Sequence, residues 1–157
     1  MNNKITVVIP TFNESKTIES LLNSLFNQSL LPDEIIISDG GSTDNTLDKI
    51  KLLKNNKINI KVIGRKNKCR GSGRNAAIEE SNNDLIALID SGIIAEKNWL
   101  SNLYQKVMED NTLDVIYGMV KPIKKNYFSK ILNFFITGKS NFLGYLSPSV
   151  ASILINK

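Results

Sequence analysis

Apolar residues occur in short unbroken runs along the first ninety residues, and each run stops at a polar or glycine-rich cluster. Lys4 to Pro10 (KITVVIP), Glu34 to Asp39 (EIIISD) and Asp84 to Asp90 (DLIALID) have the aliphatic density of strands buried on both faces. Ile58 to Ile63 alternates instead, as a half-covered strand does. Between the strands the period changes. Ile18, Leu21, Leu22, Leu25 and Phe26 recur at helical spacing and predict a helix from Lys16 to about Gln28. Leu47, Ile50 and Leu53 predict a second helix that ends near Lys54, where Asn55-Asn56 breaks it. A basic glycine loop, Gly64 to Gly73, then leads into a short helix over Arg74 to Ser81. Trp99, Leu100, Leu103 and Val107 predict a further helix, followed by a fifth strand near Val115 to Val120. Strands and helices alternating at these lengths predict an α/β fold, a Rossmann-like, doubly wound, mostly parallel sheet with right-handed crossovers. Pro10, which lacks a ladder donor, is expected to end the first strand.

Two of the buried strands finish on a carboxylate, Asp39 and Asp90. Ligands of open α/β sheets bind in the crevice beyond the carboxyl ends of the strands, so these acids are candidates for a site. After Asp39 come Gly40-Gly41, which permit backbone angles closed to other residues, and then Ser42, Thr43 and Asp44, which can cap the next helix. By itself this stretch reads equally well as an ordinary turn with Asp39 solvated.

At 157 residues and 41% hydrophobic content the chain is one domain with enough apolar mass for a core. Its formal charge is +5, unevenly spread: Lys49 to Arg74 holds ten basic residues and no acid, and no acid follows Asp114. Such runs are more often a solvated face than a ligand site, and no nucleic-acid partner is expected. Cys69 alone cannot form an internal disulfide and no leader pattern precedes Ile5, so a reducing cytoplasm is the expected location. With no histidine a zinc site is not expected, and no apolar run reaches the length of a membrane span. Beyond Pro122 the chain turns aromatic and basic (FSKILNFFITGKSNFLGYL). A helix packed within the domain is the favoured reading there. The alternative is peripheral contact through residues 127–146 with the inner face of a membrane. Ser149 to Ile155 begins another strand.

Four segments in order carry a resemblance: Pro10-Thr11-Phe12-Asn13-Glu14 after the first strand, Ser38 to Asp44 after the second, Gly73-Arg74-Asn75-Ala76-Ala77 opening a helix, and Asp90-Ser91-Gly92 with Trp99-Leu100 behind it. Together, over Ile5 to Leu100, they resemble the N-terminal half of the family 2 glycosyltransferases of GT-A fold. The resemblance implies an enzyme that takes a nucleotide-diphospho-sugar, UDP- or GDP-linked, and transfers the sugar with inversion to a sugar or lipid-linked acceptor in envelope polysaccharide or glycoconjugate synthesis. It implies that Pro10, Thr11, Asn13 and Glu14 border the nucleotide and that Asp39, with Gly41 and Ser42 beside it, accepts an N–H from the base. Arg70, Arg74 and Asn75 would lie near base and phosphates, and Asp90 and Ser91 near the ribose. Asp90 also corresponds to the first acid of an Asp-x-Asp signature, which approaches the metal as well and makes Asp90 the candidate metal residue; the signature's second acid holds a Mn²⁺ or Mg²⁺ cofactor. Here Gly92 stands in that place, which puts metal dependence in question.

The same comparison divides the single domain, 1–157, into a nucleotide-sugar-binding part, 1–121, and the start of an acceptor-side part, 122–157. The family's general base lies later than these residues, so the chain reads as a donor-binding portion truncated at its C-terminus, without its catalytic carboxylate. A non-catalytic nucleotide-sugar-binding module that needs a further segment or partner chain is the second reading. A third is a dinucleotide-binding oxidoreductase, because Gly71-Ser72-Gly73-Arg74-Asn75-Ala76 fits G-x-G-x-x-A with Asp90 downstream. The oligomeric state has no signature in the sequence.

Overall fold

The computed structural model describes residues 4–53, 55, 57–64, 69–110, 112–118 and 152–156. The elements alternate as the hydrophobic pattern requires: β1 (Ile5–Thr11), α1 (Ile18–Phe26), β2 (Glu34–Asp39), α2 (Thr46–Leu52), β3 (Asn59–Gly64), α3 (Arg70–Glu79), β4 (Leu85–Ile89), α4 (Trp99–Glu109), β5 (Val115–Tyr117) and β6 (Ser152–Asn156). They form one six-stranded sheet in the order β3-β2-β1-β4-β6-β5. β1 pairs in parallel with β2 on one side and β4 on the other, and β3 continues in parallel beyond β2. β6 lies antiparallel between β4 and β5, a neighbour relation that no local pattern encodes.

The uninterrupted apolar runs are explained by this order. β1, β2 and β4 are interior strands with every residue buried, whereas β3 at the sheet edge has only exposed and half-buried positions. On one face Val7, Ile9, Ile35, Ile37, Ala87 and Ile89 meet the inward residues of α1 (Ile18, Leu21, Leu22, Leu25) and α4 (Leu100, Leu103, Val107). Each such aliphatic side chain contributes about 1.5–3 kcal/mol when fully buried, so this face dominates the stability of the sheet. On the other face Val8, Ile36, Ile86 and Leu88 meet Ala77, with Ile78 beside it, on α3. Gln28 at the end of α1 joins two elements: its amide donates to the Glu96 carbonyl and its carbonyl accepts the Leu100 N–H at the start of α4.

Several element boundaries differ from the sequence expectation, by one to four residues. Pro10 does not end β1. Its partner is Ser38 of β2, and the β4 ladder has already stopped at Val8 opposite Leu88, so the proline lies where β1 is paired on one side only. α1 begins at Ile18 because Glu14 to Thr17 form a turn, with the Thr17 and Ile18 N–H groups both donating to the Glu14 carbonyl. α3 starts four residues earlier than expected, at Arg70. Its first turn closes through Gly73 N–H to Cys69 C=O at 3.1 Å, and Gly73 is buried, so the glycines expected to form a loop are helical. α2 ends at Leu52, short of Lys54, with Leu53 already extended, and β5 ends at Tyr117, short of Val120. Most of the basic loop (residues 65–68), residues 119 and 120, and the stretch 127–146 lie outside the described residues.

At the amino end of the sheet a buried polar cluster locks three strands together. Thr6 Oγ1 accepts from Ser81 Oγ (2.7 Å) and Asn83 Nδ2 (3.0 Å) and donates to Glu34 Oε2 (3.2 Å). Thr6→Val keeps the shape and removes the hydroxyl, leaving buried donors and an acceptor without their partner. It should cost about 1–3 kcal/mol in a urea unfolding titration, with no change in ligand affinity, because the cluster is at the opposite end from the candidate site.

Candidate functional site

The chain moves from β1 outward to β2 and β3, then returns across β1 to place β4 on its other side. The boundary between β1 and β4 is therefore the topological switch point, where strand-end loops diverge and leave a crevice. Pro10, Glu14, Arg70, Asp90, Ser91, Gly92 and Ile93 line a cavity of about 300 Å³ at that point. The β1–α1 loop, the β4–α4 turn and the first turn of α3 thus converge on one opening.

The β1–α1 loop is held from the side by the β2–α2 loop. Gly40 N–H donates to the Thr11 carbonyl at 2.8 Å. Asn13 N–H donates to Ser42 Oγ (2.9 Å), Thr43 N–H to Asn13 Oδ1 (2.8 Å), Glu14 N–H to Thr46 Oγ1 (2.8 Å) and Ser15 N–H to Asp44 Oδ2 (3.1 Å). Asn13 adopts a left-handed φ of 54°, which Asn tolerates better than most residues. Gly41 has φ 84°, where a side chain would be strained. Ser42 and Thr43 therefore do not cap α2 as expected; they connect the two loops. Asp44 keeps a capping role, accepting Thr46 N–H at 3.1 Å and the Thr46 hydroxyl.

Asp39 is 2% exposed and is not a solvated turn residue. Its Oδ2 accepts the Gly41 N–H (2.9 Å) and Ser42 N–H (2.8 Å), and its Oδ1 accepts the Ser42 hydroxyl (2.5 Å). A carboxylate that shapes its own turn cannot be altered without disturbing the turn.

On the opposite side of β1, Asp90 is paired. Arg74 Nη2 donates to Asp90 Oδ1 at 2.5 Å, with both side chains mostly covered, 15% and 22% exposed. The early start of α3 puts Arg70 four residues before Arg74, on the same helical face and at the cavity mouth. Of the residues singled out in the sequence, Pro10, Glu14, Arg70, Asp90 and Ser91 line the cavity. Arg74 supports it through Asp90, and Asp39, Gly41 and Ser42 form the adjoining turn. Thr11 is buried at the end of β1, with a hydroxyl that has no partner among the described residues. Asn75 is exposed on α3 and is not among the lining residues. Ile93 was not foreseen; a lone apolar residue after the Asp90 turn carries no chemical signal. The dinucleotide reading fails on position, because Gly71 to Ala76 lie inside α3 and not in a strand-to-helix turn.

The profile described as Glycosyl transferase family 2 matches residues 6–150. The chain belongs to glycosyl transferase family 2. It is 35% identical over 137 residues to a dolichyl N-acetyl-alpha-D-glucosaminyl phosphate 3-beta-D-2,3-diacetamido-2,3-dideoxy-beta-D-glucuronosyltransferase of Methanococcus voltae, covering 82% of this chain and 43% of that protein. Crystal structures of Staphylococcus aureus TarS 1–349 with UDP and with UDP-GlcNAc each match with TM-score 0.69 and 30% identity, over 78% of this chain and 37% and 36% of theirs. A Pyrobaculum calidifontis mannosyltransferase in complex with GDP-Man and Mn²⁺ shares the fold at TM-score 0.68 and 20% identity, over 80% of this chain and 38% of that one. The chain thus spans less than half the length of each of these proteins, and its sheet is that of the GT-A glycosyltransferases.

The mannosyltransferase that shares this fold carries Mn²⁺, and the donors present here do not fit such an ion. Asp90 is the single carboxylate on its turn and is already bonded to Arg74, Glu14 on the β1–α1 loop is engaged by the Thr17 hydroxyl, Gly92 has no side chain, and no cluster of three metal-binding side chains occurs among the described residues. Hard divalent cations need several oxygen ligands. Among the described residues, moreover, no helix is long and apolar enough to cross a membrane.

The interlocked loops have a pH signature. The Thr46 hydroxyl first, and Ser15 after it, outweigh burial and hold the Asp44 carboxyl down to about 2, from an ordinary 3.8. A carboxyl depressed in the folded state stabilises above its unfolded pKa and loses that contribution as pH falls through the folded value. Chemical denaturation between pH 4 and about pH 2 should show a decline in stability that is shallower in Asp44→Asn, whose stability is already lower at neutral pH.

Proposed function

We propose that the chain is the donor-binding portion of an inverting glycosyltransferase that takes a UDP-linked sugar, or a GDP-linked one, for envelope polysaccharide or glycoconjugate synthesis. The observation that carries this reading is the crevice at the β1/β4 switch point, where Arg70 and the positive end of the α3 dipole meet the mouth of the cavity. A diphosphate needs that charge. Asp39 on the neighbouring turn would accept an N–H from a uracil or guanine edge through the remaining lone pair of Oδ1, since each carboxylate oxygen accepts two hydrogen bonds. Pro10 to Glu14 would border the nucleotide, and Asp90 and Ser91 would face the ribose. The similarity to TarS with UDP and UDP-GlcNAc supports UDP as the first nucleotide to test.

In this reading residues 1–121 bind the donor and residues 122–157 begin the part that faces a sugar or lipid-linked acceptor, with 127–146 packed in the domain or, as the alternative, in peripheral contact with a membrane. The enzyme would act in the cytoplasm or at the inner face of a membrane. Inverting transfer requires a base to deprotonate the acceptor hydroxyl as the nucleotide diphosphate leaves. No acid follows Asp114 in the chain. A second reading is a nucleotide-sugar-binding module whose base comes from another segment or partner.

Thermal denaturation against UDP, UDP-sugars, GDP-sugars and NAD tests the binding. UDP or its sugars at about a hundredfold over Kd should add about 2.7 kcal/mol of stability, while NAD adds none. Asp39→Asn should lose about 1.5–3 kcal/mol of nucleotide affinity and also some fold stability, because the amide cannot accept all three bonds of the turn. Stabilisation by NAD and not by UDP would refute the assignment, and robust transfer by this chain alone would rule out the module reading.

A further inference from the structure

We infer that Arg74, in place of a divalent cation, is the resident counter-charge of Asp90, and that the Arg70 guanidinium meets the ligand's phosphates in this chain. The inference rests on the proposed reading that a nucleotide diphosphate occupies the crevice. Three observations carry it. First, the Arg74–Asp90 contact is a short charge-assisted hydrogen bond between side chains that are mostly covered, so solvent and salt screen it less than a surface pair. A metal ion bound to Asp90 would displace that partner and face the guanidinium, positive charge against positive charge. Second, Arg74 Nε is buried with no hydrogen-bond partner among the described residues, so Asp90 is what orients the group. Third, the residue two beyond Asp90 is Gly92, and a Cβ built there would meet nothing within 4 Å. Its φ is not in the left-handed region either. The turn therefore has room for a carboxylate and does not demand glycine; the missing ligand is a property of the sequence.

The pairing divides the work between two arginines one helical turn apart. Arg74 cancels Asp90, so the acid that would otherwise repel a diphosphate no longer does so. Arg70, at the cavity mouth, remains to meet the phosphates. Arg74 is thus a positioning residue acting through Asp90, and Arg70 is the direct contact. Asp90→Asn removes a negative charge beside the phosphates and releases Arg74 toward them, so it should cost less UDP affinity than Arg74→Gln does, the loss being confined to the ribose contact. Arg74→Gln should weaken it, and part of the loss should return with Mn²⁺, because Asp90 is then left without a counter-charge.

Calorimetric titration of UDP into the full chain, in EDTA and in Mn²⁺ at matched ionic strength, tests the inference. The unmodified chain should bind with Kd values within about twofold of each other, whereas Gly92→Asp combined with Arg74→Gln should bind about tenfold more tightly with Mn²⁺ than without. Gly92→Asp alone, which keeps the ion pair, should show a smaller Mn²⁺ effect than the double variant and guards against loss of fold in Arg74→Gln. Titration of Mn²⁺ alone, followed by the electron paramagnetic resonance signal of the free aqua ion, gives an arm independent of nucleotide. That signal should stay undiminished with the unmodified chain. Binding of UDP that EDTA abolishes, or uptake of Mn²⁺ that Asp90→Asn removes, would overturn the inference. Failure of UDP to bind in either buffer would instead overturn the nucleotide reading, with the Mn²⁺ arm still deciding whether Asp90 is a metal ligand.

Discussion

β1 has parallel neighbours on both sides, and the chain reaches those neighbours by leaving in opposite directions. That constraint creates the crevice: loops at the ends of β1 and β4 must separate, because each leads to a helix and the crossovers run away from one another. It also requires β1, β2 and β4 to be apolar on both faces, which is why their sequences run without alternation. With no polar face to spare along the strands, polar chemistry is pushed to their ends. The carboxyl ends hold Asp39, Asp90 and the loops around them, and the amino ends hold the cluster of Thr6, Glu34, Ser81 and Asn83.

Much of the hydrogen-bonding capacity at the carboxyl end is used inside the protein. Asn13, Ser42, Asp44 and Thr46 tie the two loops together and Asp39 closes its own turn, so the segment bordering the cavity is fixed before a ligand arrives. Preorganisation of this kind lowers the ordering cost of binding. On the other side of β1 the Arg74–Asp90 pair does the same for α3, fixing the helix against the end of β4 while Arg70 stays at the opening. Charge and geometry thus come from the same few contacts.

The sheet and the identity of the strand-end acids were legible in the sequence because both follow from local pattern: aliphatic runs that stop at a carboxylate and glycines. β2 agrees with its expected bounds, Glu34–Asp39, for that reason. Pairing between distant segments was not legible, so the insertion of β6 between β4 and β5 had no sequence signal. The start of α3 was misplaced because glycine disfavours helix interiors, whereas Gly73 is buried within the first turn of a helix that packs on the sheet. The burial of Asp39 and the linking role of Asn13 were hidden as well. Turn-forming residue types are the same whether a side chain faces water or closes a loop, and only the three-dimensional register of the loops separates the two.

The central claim is that a nucleotide diphosphate binds at the carboxyl end of the sheet between β1 and β4. The most direct measurement is backbone amide chemical-shift mapping of the chain during titration with UDP. The account predicts shifts concentrated at Asn13 and Glu14, Gly40 to Ser42, Arg70 and Gly71, and Ser91 to Ile93, with Thr6, Ser81 and Asn83 at the far end unchanged. Shifts centred on the amino end of the sheet, or none at saturating UDP concentration, would contradict it.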